Sequence, residues 1–248
     1  LDMIKNIKLT IEYNGTSFYG WQRQPNARTV QGTIEECIAK VTQEEVEVIG
    51  CSRTDSGVHA KRFVCNFTTS SKIPSEKFSY AINRILPPEI IILESEEVSL
   101  DFHARFSCKG KRYVYSILSR TWPSPIKRDF TYHVKDELDI DKMNEAARYL
   151  IGRHDFASFR NLGSSVQSTV RTITELSVIK NNELIEIKVA GDGFLYNMVR
   201  IISGTLLEVG LNKKEPKDIK VILESRDRRK AGRSLPAAGL CLDEVFYY

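Results

Sequence analysis

None of the five cysteines (37, 51, 65, 108 and 241) stands in C-x-x-C spacing, and five is an odd number. Neither a zinc ribbon nor a disulfide framework is suggested, and reduced thiols are expected. The chain also lacks an uninterrupted apolar stretch. Its longest apolar region, Phe194 to Leu211, contains Asn197, Arg200 and Glu208 and cannot span a bilayer. The opening LDMIKNIKLT has neither the apolar core nor the cleavage site of a signal peptide, so no export signal is expected. Leu1 and Asp2 stand ahead of Met3 and are open to being foreign to the natural protein. Neither sign of charge dominates: 36 Lys and Arg face 32 Asp and Glu. The resulting +4 does not by itself imply a nucleic-acid partner.

The 248 residues leave room for one large domain or two of about 100–150 residues. With 42% apolar and 27% charged residues, a mainly disordered chain is excluded. Asn6–Tyr13 alternates apolar and polar residues, the period of a half-buried strand. Thr29–Val41 repeats Val30, Ile34, Cys37, Ile38 and Val41 at helical spacing. Val46–Ile49 and Phe63–Phe67 read as strands around a loop, Gly50–Ala60. Ser75–Leu86 is expected to be a helix capped by Ser75 and stopped by Pro87-Pro88, followed by a strand from Ile90. The first hundred residues therefore read β-α-β-β-α-β.

The second part repeats the theme. Lys111–Leu118 is a strand, Asp141–Ile151 a helix, and Thr169–Ile179 with Glu183–Val189 a hairpin across Asn181-Asn182. Phe194–Val209 is expected to be a helix stopped by Gly210, followed by a helix over Pro216–Leu223 and a strand over Leu240–Phe246. Two α+β halves joined near residues 100–110 are expected, divided as 1–105 and 106–248. Charge is unevenly placed along them. Lys109–Lys135 holds seven bases against Asp129, and Arg226–Arg233 five bases against Asp227. Tyr113, Tyr115, Trp122 and Tyr132 are interleaved with these bases, a composition suited to phosphates and base stacking, although solvated surface is the plainer reading.

Three features could carry chemistry. The loop GCSRTDSGVHA gathers Arg53, Thr54, Asp55, Ser56 and His59 between two strands, where reactive groups are commonly placed. A turn whose Asp caps the backbone is the plainer alternative. A metal held by Asp55 and His59 would have no third ligand at a telling distance, and no G-x-S-x-G elbow supports a serine triad. Arg200 lies on a helix that is apolar nearly all round, where an unpaired charge is costly. Its partner is a structural acid, or solvent reached along its stem, or a reactive carboxylate held ionised. Tyr113 opens a strand beside Lys111 and Arg112, as core or as a ring for a base.

Four long stretches carry a resemblance: YNGTSFYGWQRQPNARTVQGTIE from Tyr13, the Asp55 loop, DFHARFSCKGKRYVYSI from Asp101, and FLYNMVRIISGTLLEVG from Phe194. PAAGLCLDEVFY near the C-terminus is a weaker fifth. In this order they resemble the tRNA pseudouridine synthase A family over almost the whole chain. The family loop usually reads GRTDAGVHA, so Ser52 and Ser56 are departures, as is Leu235 where Ala usually precedes the Pro.

The resemblance implies an α+β protein of two ferredoxin-like halves, mainly antiparallel sheets, the pseudouridine synthase fold and an active-site cleft between the halves. It implies an isomerase (an intramolecular transferase) that converts uridine to pseudouridine in the tRNA anticodon stem-loop, just 3′ of the anticodon. Asp55 is implied as the essential carboxylate, Arg200 as the cation paired with it, Tyr113 as the contact to the target base, and Arg53 as an aid in extracting the nucleotide. No cofactor and no metal are implied. A cytoplasmic homodimer with tRNA as partner, and no membrane, completes the expectation.

Overall fold

The computed structural model describes residues 3–161, 163 and 167–248; Leu1 and Asp2 lie outside them. Ten strands and five helices occur among the described residues, in two compact units. The first comprises residues up to Lys109 together with Leu242–Tyr248, and the second Gly110–Cys241. The C-terminal residues thus cluster with the first unit, whereas division by chain order assigns them to the second.

In the first unit β1 (Lys5–Tyr13) pairs antiparallel with β3 (His59–Thr69) and with β4 (Ile90–Val98). Leu9 sits opposite Cys65 on one side and Ser95 on the other. Alternation places Ile7, Leu9 and Ile11 on one face, and all three are fully buried. The short β2 (Ile49–Gly50) and the C-terminal β10 (Leu240–Phe246) both lie against β3. The order 4-1-3-2 of β1–β4 is that of a ferredoxin-like unit. The strand expected at Val46–Ile49 is almost absent for a local reason. Glu35 on α1 (Val30–Thr42) accepts the Val48 amide at 3.0 Å, and Gln31 donates to the Val48 carbonyl at 3.1 Å. Those backbone groups are thereby satisfied by a helix instead of a ladder.

The helix α1 begins as its pattern indicates. Thr29 is extended and its hydroxyl accepts from the Gly32 amide, while Val30, Ile34, Cys37 and Ile38 are buried. The second helix is shorter than expected: a 3₁₀ turn at Ser75–Lys77 leads into α2 (Phe78–Asn83). Ser75 does not cap it, since its hydroxyl donates to Glu97 on β4. Asn83 exchanges two 2.8 Å hydrogen bonds with the Ile92 backbone and ties α2 to that strand.

The second unit forms a sheet in the order β5 (Gly110–Ser119), β9 (Leu184–Gly191), β8 (Val170–Asn181), β7 (Gly152–Asp155). The short β6 (Tyr132–Val134) runs parallel to β5; the other pairings in this unit are antiparallel. The α+β class with mainly antiparallel sheets stands. The hairpin turns at Asn182 and Glu183, one residue later than expected, with Asn182 left-handed at φ 54°. Asp139 caps α3 (Ile140–Arg148) by accepting the Lys142 amide.

The apolar helix α4 (Met198–Gly210) starts four residues later than its periodicity suggests. Asn197 is left-handed at φ 59°, which the period of apolar residues cannot reveal. Gly210 is not a stop but the last residue of α4. A side chain there would meet Met143 Sδ of α3 at 2.6 Å, so its smallness serves helix contact rather than an unusual φ. Asp218–Ser225 forms α5.

Candidate active site

The reactive loop is tighter than its sequence outline. Gly50 ends β2 and His59 opens β3, which leaves residues 51–58 to make the turn. Arg53 and Ser56 are exposed, Asp55 is half-buried, and Thr54 and Val58 are buried. The Val58 amide donates to the Asp55 carbonyl at 3.1 Å and closes the turn around the aspartate, with Gly57 at φ 81°.

A second segment, residues 13–21, braces this turn at Thr54, Ser56 and Gly57, and reaches His59 just beyond it. Tyr13 and Thr54 share a buried hydroxyl–hydroxyl hydrogen bond of 2.8 Å. The Trp21 amide donates to the Thr54 carbonyl at 3.1 Å. The Phe18 carbonyl accepts from the Gly57 amide at 3.3 Å and from the Ser56 hydroxyl at 3.2 Å. The Gly15 amide donates to His59 Nδ1 at 3.0 Å, which makes that ring nitrogen an acceptor. The approach is close enough to require glycine twice. A Cβ on Gly15 would lie 1.9 Å from the Val58 carbonyl oxygen, and one on Gly20, at φ 82°, 2.5 Å from that of Thr54.

The bracing segment is itself fixed. Trp21 stacks on Phe63 of β3 with centroids 4.2 Å apart. Arg28 lies 4.4 Å over the Phe18 ring, donates to Ser17 and forms a two-pronged pair with Glu89 at 3.2 and 3.3 Å. The Arg28 guanidinium holds the Glu89 carboxyl below the usual carboxylate range. In the sequence, Phe18, Trp21 and Arg28 stand out only as part of the stretch that carries the family resemblance. The signal available in the chain was a pair of glycines flanking aromatic residues, without any indication of what approached them.

Tyr113 and Arg200 belong to the second unit. Tyr113 on β5 is only 6% exposed, and its ring meets Phe194 edge-on at 5.3 Å. Most of α4 is buried, with Arg200 and Glu208 half-buried. The Arg200 Nε donates to the Leu235 carbonyl at 2.6 Å and Nη1 to Asn197 Oδ1 at 2.8 Å, so the guanidinium plane is oriented by two acceptors. The Leu235 amide returns a bond to the Arg200 carbonyl at 3.2 Å. Those contacts use only the backbone of Leu235, which is why a departure in its side chain leaves them intact. Gly204 of α4 lets the Arg233 carbonyl approach: a Cβ there would be 1.9 Å from that oxygen. Tyr115 donates to the Pro236 carbonyl at 2.7 Å, and burial pushes its phenol upward, so it remains a donor.

The basic run at Arg226–Arg233 is less available than its composition suggests. Arg226 pairs with Asp155 at 3.1 Å, and Arg228 donates to Asn161 and to the Gly232 carbonyl. Arg229 forks onto Asp227 and holds its carboxyl down to about 2, while Arg233 hydrogen-bonds the Tyr132 hydroxyl. Among the described residues, no group of three or more His, Cys, Asp or Glu is arranged to hold a metal ion. No helix among them is long and apolar enough to cross a membrane.

Comparison with known proteins agrees with these motifs. Residues 9–107 and 146–248 match the family described as tRNA pseudouridine synthase. The chain is 57% identical over 247 residues to tRNA pseudouridine synthase A 2 of Clostridium tetani, covering 99% of this chain and 100% of that one. It is 54% identical over 244 residues to tRNA pseudouridine synthase A of Acetivibrio thermocellus, and 53% identical to tRNA pseudouridine synthase A 2 of Clostridium perfringens. Each of these alignments covers 98% of this chain and 100% of the relative.

Proposed function

Because the chain belongs to the tRNA pseudouridine synthase family, we propose that it isomerises uridine to pseudouridine in the anticodon stem-loop of tRNA, just 3′ of the anticodon. The bond between the sugar C1′ and N1 of the base is broken, the base turns, and C1′ is joined to C5. The C5 proton is lost and N1 gains one, so nothing is oxidised or reduced and no cofactor is consumed. Asp55 acts on the sugar, as nucleophile or as base. Arg200 is the cation that keeps its carboxylate ionised. Tyr113 contacts the target base, and Arg53 helps take the nucleotide out of its stem, against a few kcal/mol of unstacking and unpairing. The working form is a cytoplasmic homodimer.

The observation that carries this reading is the match over 99% of the chain and the whole of a relative. The bracing of Asp55 on both sides supports it, since a reactive carboxylate has to be held in place. The test is incubation with unmodified tRNA transcripts, in buffer containing EDTA on RNA already folded, followed by mapping of pseudouridine. Product at anticodon-arm uridines is expected. Transcripts carrying those uridines that come back unmodified, or a strict need for a bound metal, would overturn the assignment.

A further inference from the structure

Asp55 occupies the middle of a turn, and the peptide planes on either side of it set where its side chain begins. On its C-terminal side the turn is closed by the Val58 amide on the Asp55 carbonyl. On its N-terminal side the peptide plane contains the Thr54 carbonyl and the Asp55 amide, and that plane sets where the aspartate begins. Two contacts hold Thr54: its carbonyl accepts the Trp21 amide at 3.1 Å, and its hydroxyl meets the Tyr13 hydroxyl at 2.8 Å. The latter joins two side chains that are buried, with Tyr13 3% and Thr54 7% exposed. Tyr13 is the last residue of β1, and its ring tilts against Phe63 with centroids 5.7 Å apart. The sheet therefore places the phenol, and the phenol places the residue next to Asp55.

We propose that Tyr13 is a positioning residue of the reaction: acting through the Thr54 hydroxyl, it holds Asp55 at its attack geometry. The proposal rests on the synthase function above. A phenyl ring in the same place would keep the contact with Phe63, whereas the hydroxyl's bond to Thr54 would be lost. Misplacing a reacting group by about 1 Å costs roughly a hundredfold in rate. Loss of one of the two Thr54 contacts should therefore lower kcat by about 10- to 100-fold and leave KM for tRNA within about twofold.

The experiment compares wild type, Tyr13→Phe, Thr54→Val, Thr54→Ser and the double variant Tyr13→Phe/Thr54→Val on one tRNA transcript. The folded fraction is measured by circular dichroism and the exchange of the Asp55–Val58 amides by hydrogen exchange. Tyr13→Phe and Thr54→Val should each lose kcat at nearly constant KM, and the double variant should be no worse than either, because the two hydroxyls act as one unit. Thr54→Ser, which keeps the hydroxyl, should recover most of the rate. Exchange in the loop should quicken in the variants that lack a hydroxyl. If Tyr13→Phe fails to fold, the Thr54→Val and Thr54→Ser pair decides the question alone. Active wild type with unchanged kcat in the hydroxyl-less variants refutes the positioning role and leaves the function standing. So does a loss that only follows the folded fraction or appears in KM. Wild type that makes no pseudouridine refutes both, whatever the loop amides do.

Discussion

Gly20→Ala is expected to damage the protein in a way that can be separated into parts. Gly20 lies at φ 82°, a conformation that L side chains rarely adopt. Placing alanine there costs about 1–3 kcal/mol for the backbone alone. The added methyl would also sit 2.5 Å from the Thr54 carbonyl oxygen, 3.2 Å from the Asp55 carbonyl carbon and 3.3 Å from the Ser56 amide nitrogen. All three are backbone atoms of the reactive loop and cannot swing aside as a flexible side chain would. Forced overpacking of this kind typically costs a further 1–3 kcal/mol or so. The total, about 2–6 kcal/mol, is a large share of the 5–15 or so that ordinarily stabilises a folded domain.

Gly152 supplies the control. It also has positive φ, at 106°, but its Cβ would meet only His154 Nε2, at an ordinary 3.5 Å. Gly152→Ala should therefore show the conformational part without the collision. Urea unfolding of both variants reads the difference from the midpoints, provided the m-values agree with wild type. If Gly20→Ala is relieved by moving the loop instead of by unfolding, the stability loss shrinks and kcat falls. A Gly20→Ala protein as stable as Gly152→Ala and fully active would refute the claim that close approach at Gly20 shapes the loop.

Asp55→Asn should abolish isomerisation while tRNA affinity, measured by filter binding, stays within a few fold; retained activity would sink the assignment of the carboxylate. Arg200→Met should lose activity at neutral pH. Arg200→Lys, which keeps the charge without the fork geometry, should be intermediate; a methionine variant as active as wild type would argue against the proposed role. Glu89 titrates below its unfolded value because of Arg28, so its contribution to stability is full above the ordinary glutamate range, near 4.3 or so, and is lost as pH falls through the lowered value. Acid unfolding of Glu89→Gln should accordingly be less steep in that window, and identical slopes would show that the pair adds nothing to the bracing segment.

Part of this architecture is legible in the chain because it is local. The period of two in Asn6–Tyr13 and the period of 3.6 from Val30 onward follow from which face each element buries, and the Thr29 cap marks the helix start. The strand at Leu240–Phe246 was bounded correctly for the same reason. Asp55 and Arg200 stood out because a charged residue among small loop residues, or on an apolar helix, is chemically conspicuous in one dimension. Elements decided by partners far along the chain were not legible. The strand expected at Val46–Ile49 shrank because Glu35 and Gln31 take the backbone groups of Val48, and Ser75 gave up a cap to reach Glu97. Tyr132–Val134 and Gly152–Asp155 are too short to display a period, and only pairing with β5 and β8 makes them strands. The bracing of the Asp55 turn is the largest gap. Gly15 and Gly20 look like ordinary turn glycines until Val58 and Thr54, more than thirty residues away, are brought against them. Local patterning encodes which face of an element avoids water, whereas the contact that needs a missing side chain exists only once two distant backbones meet.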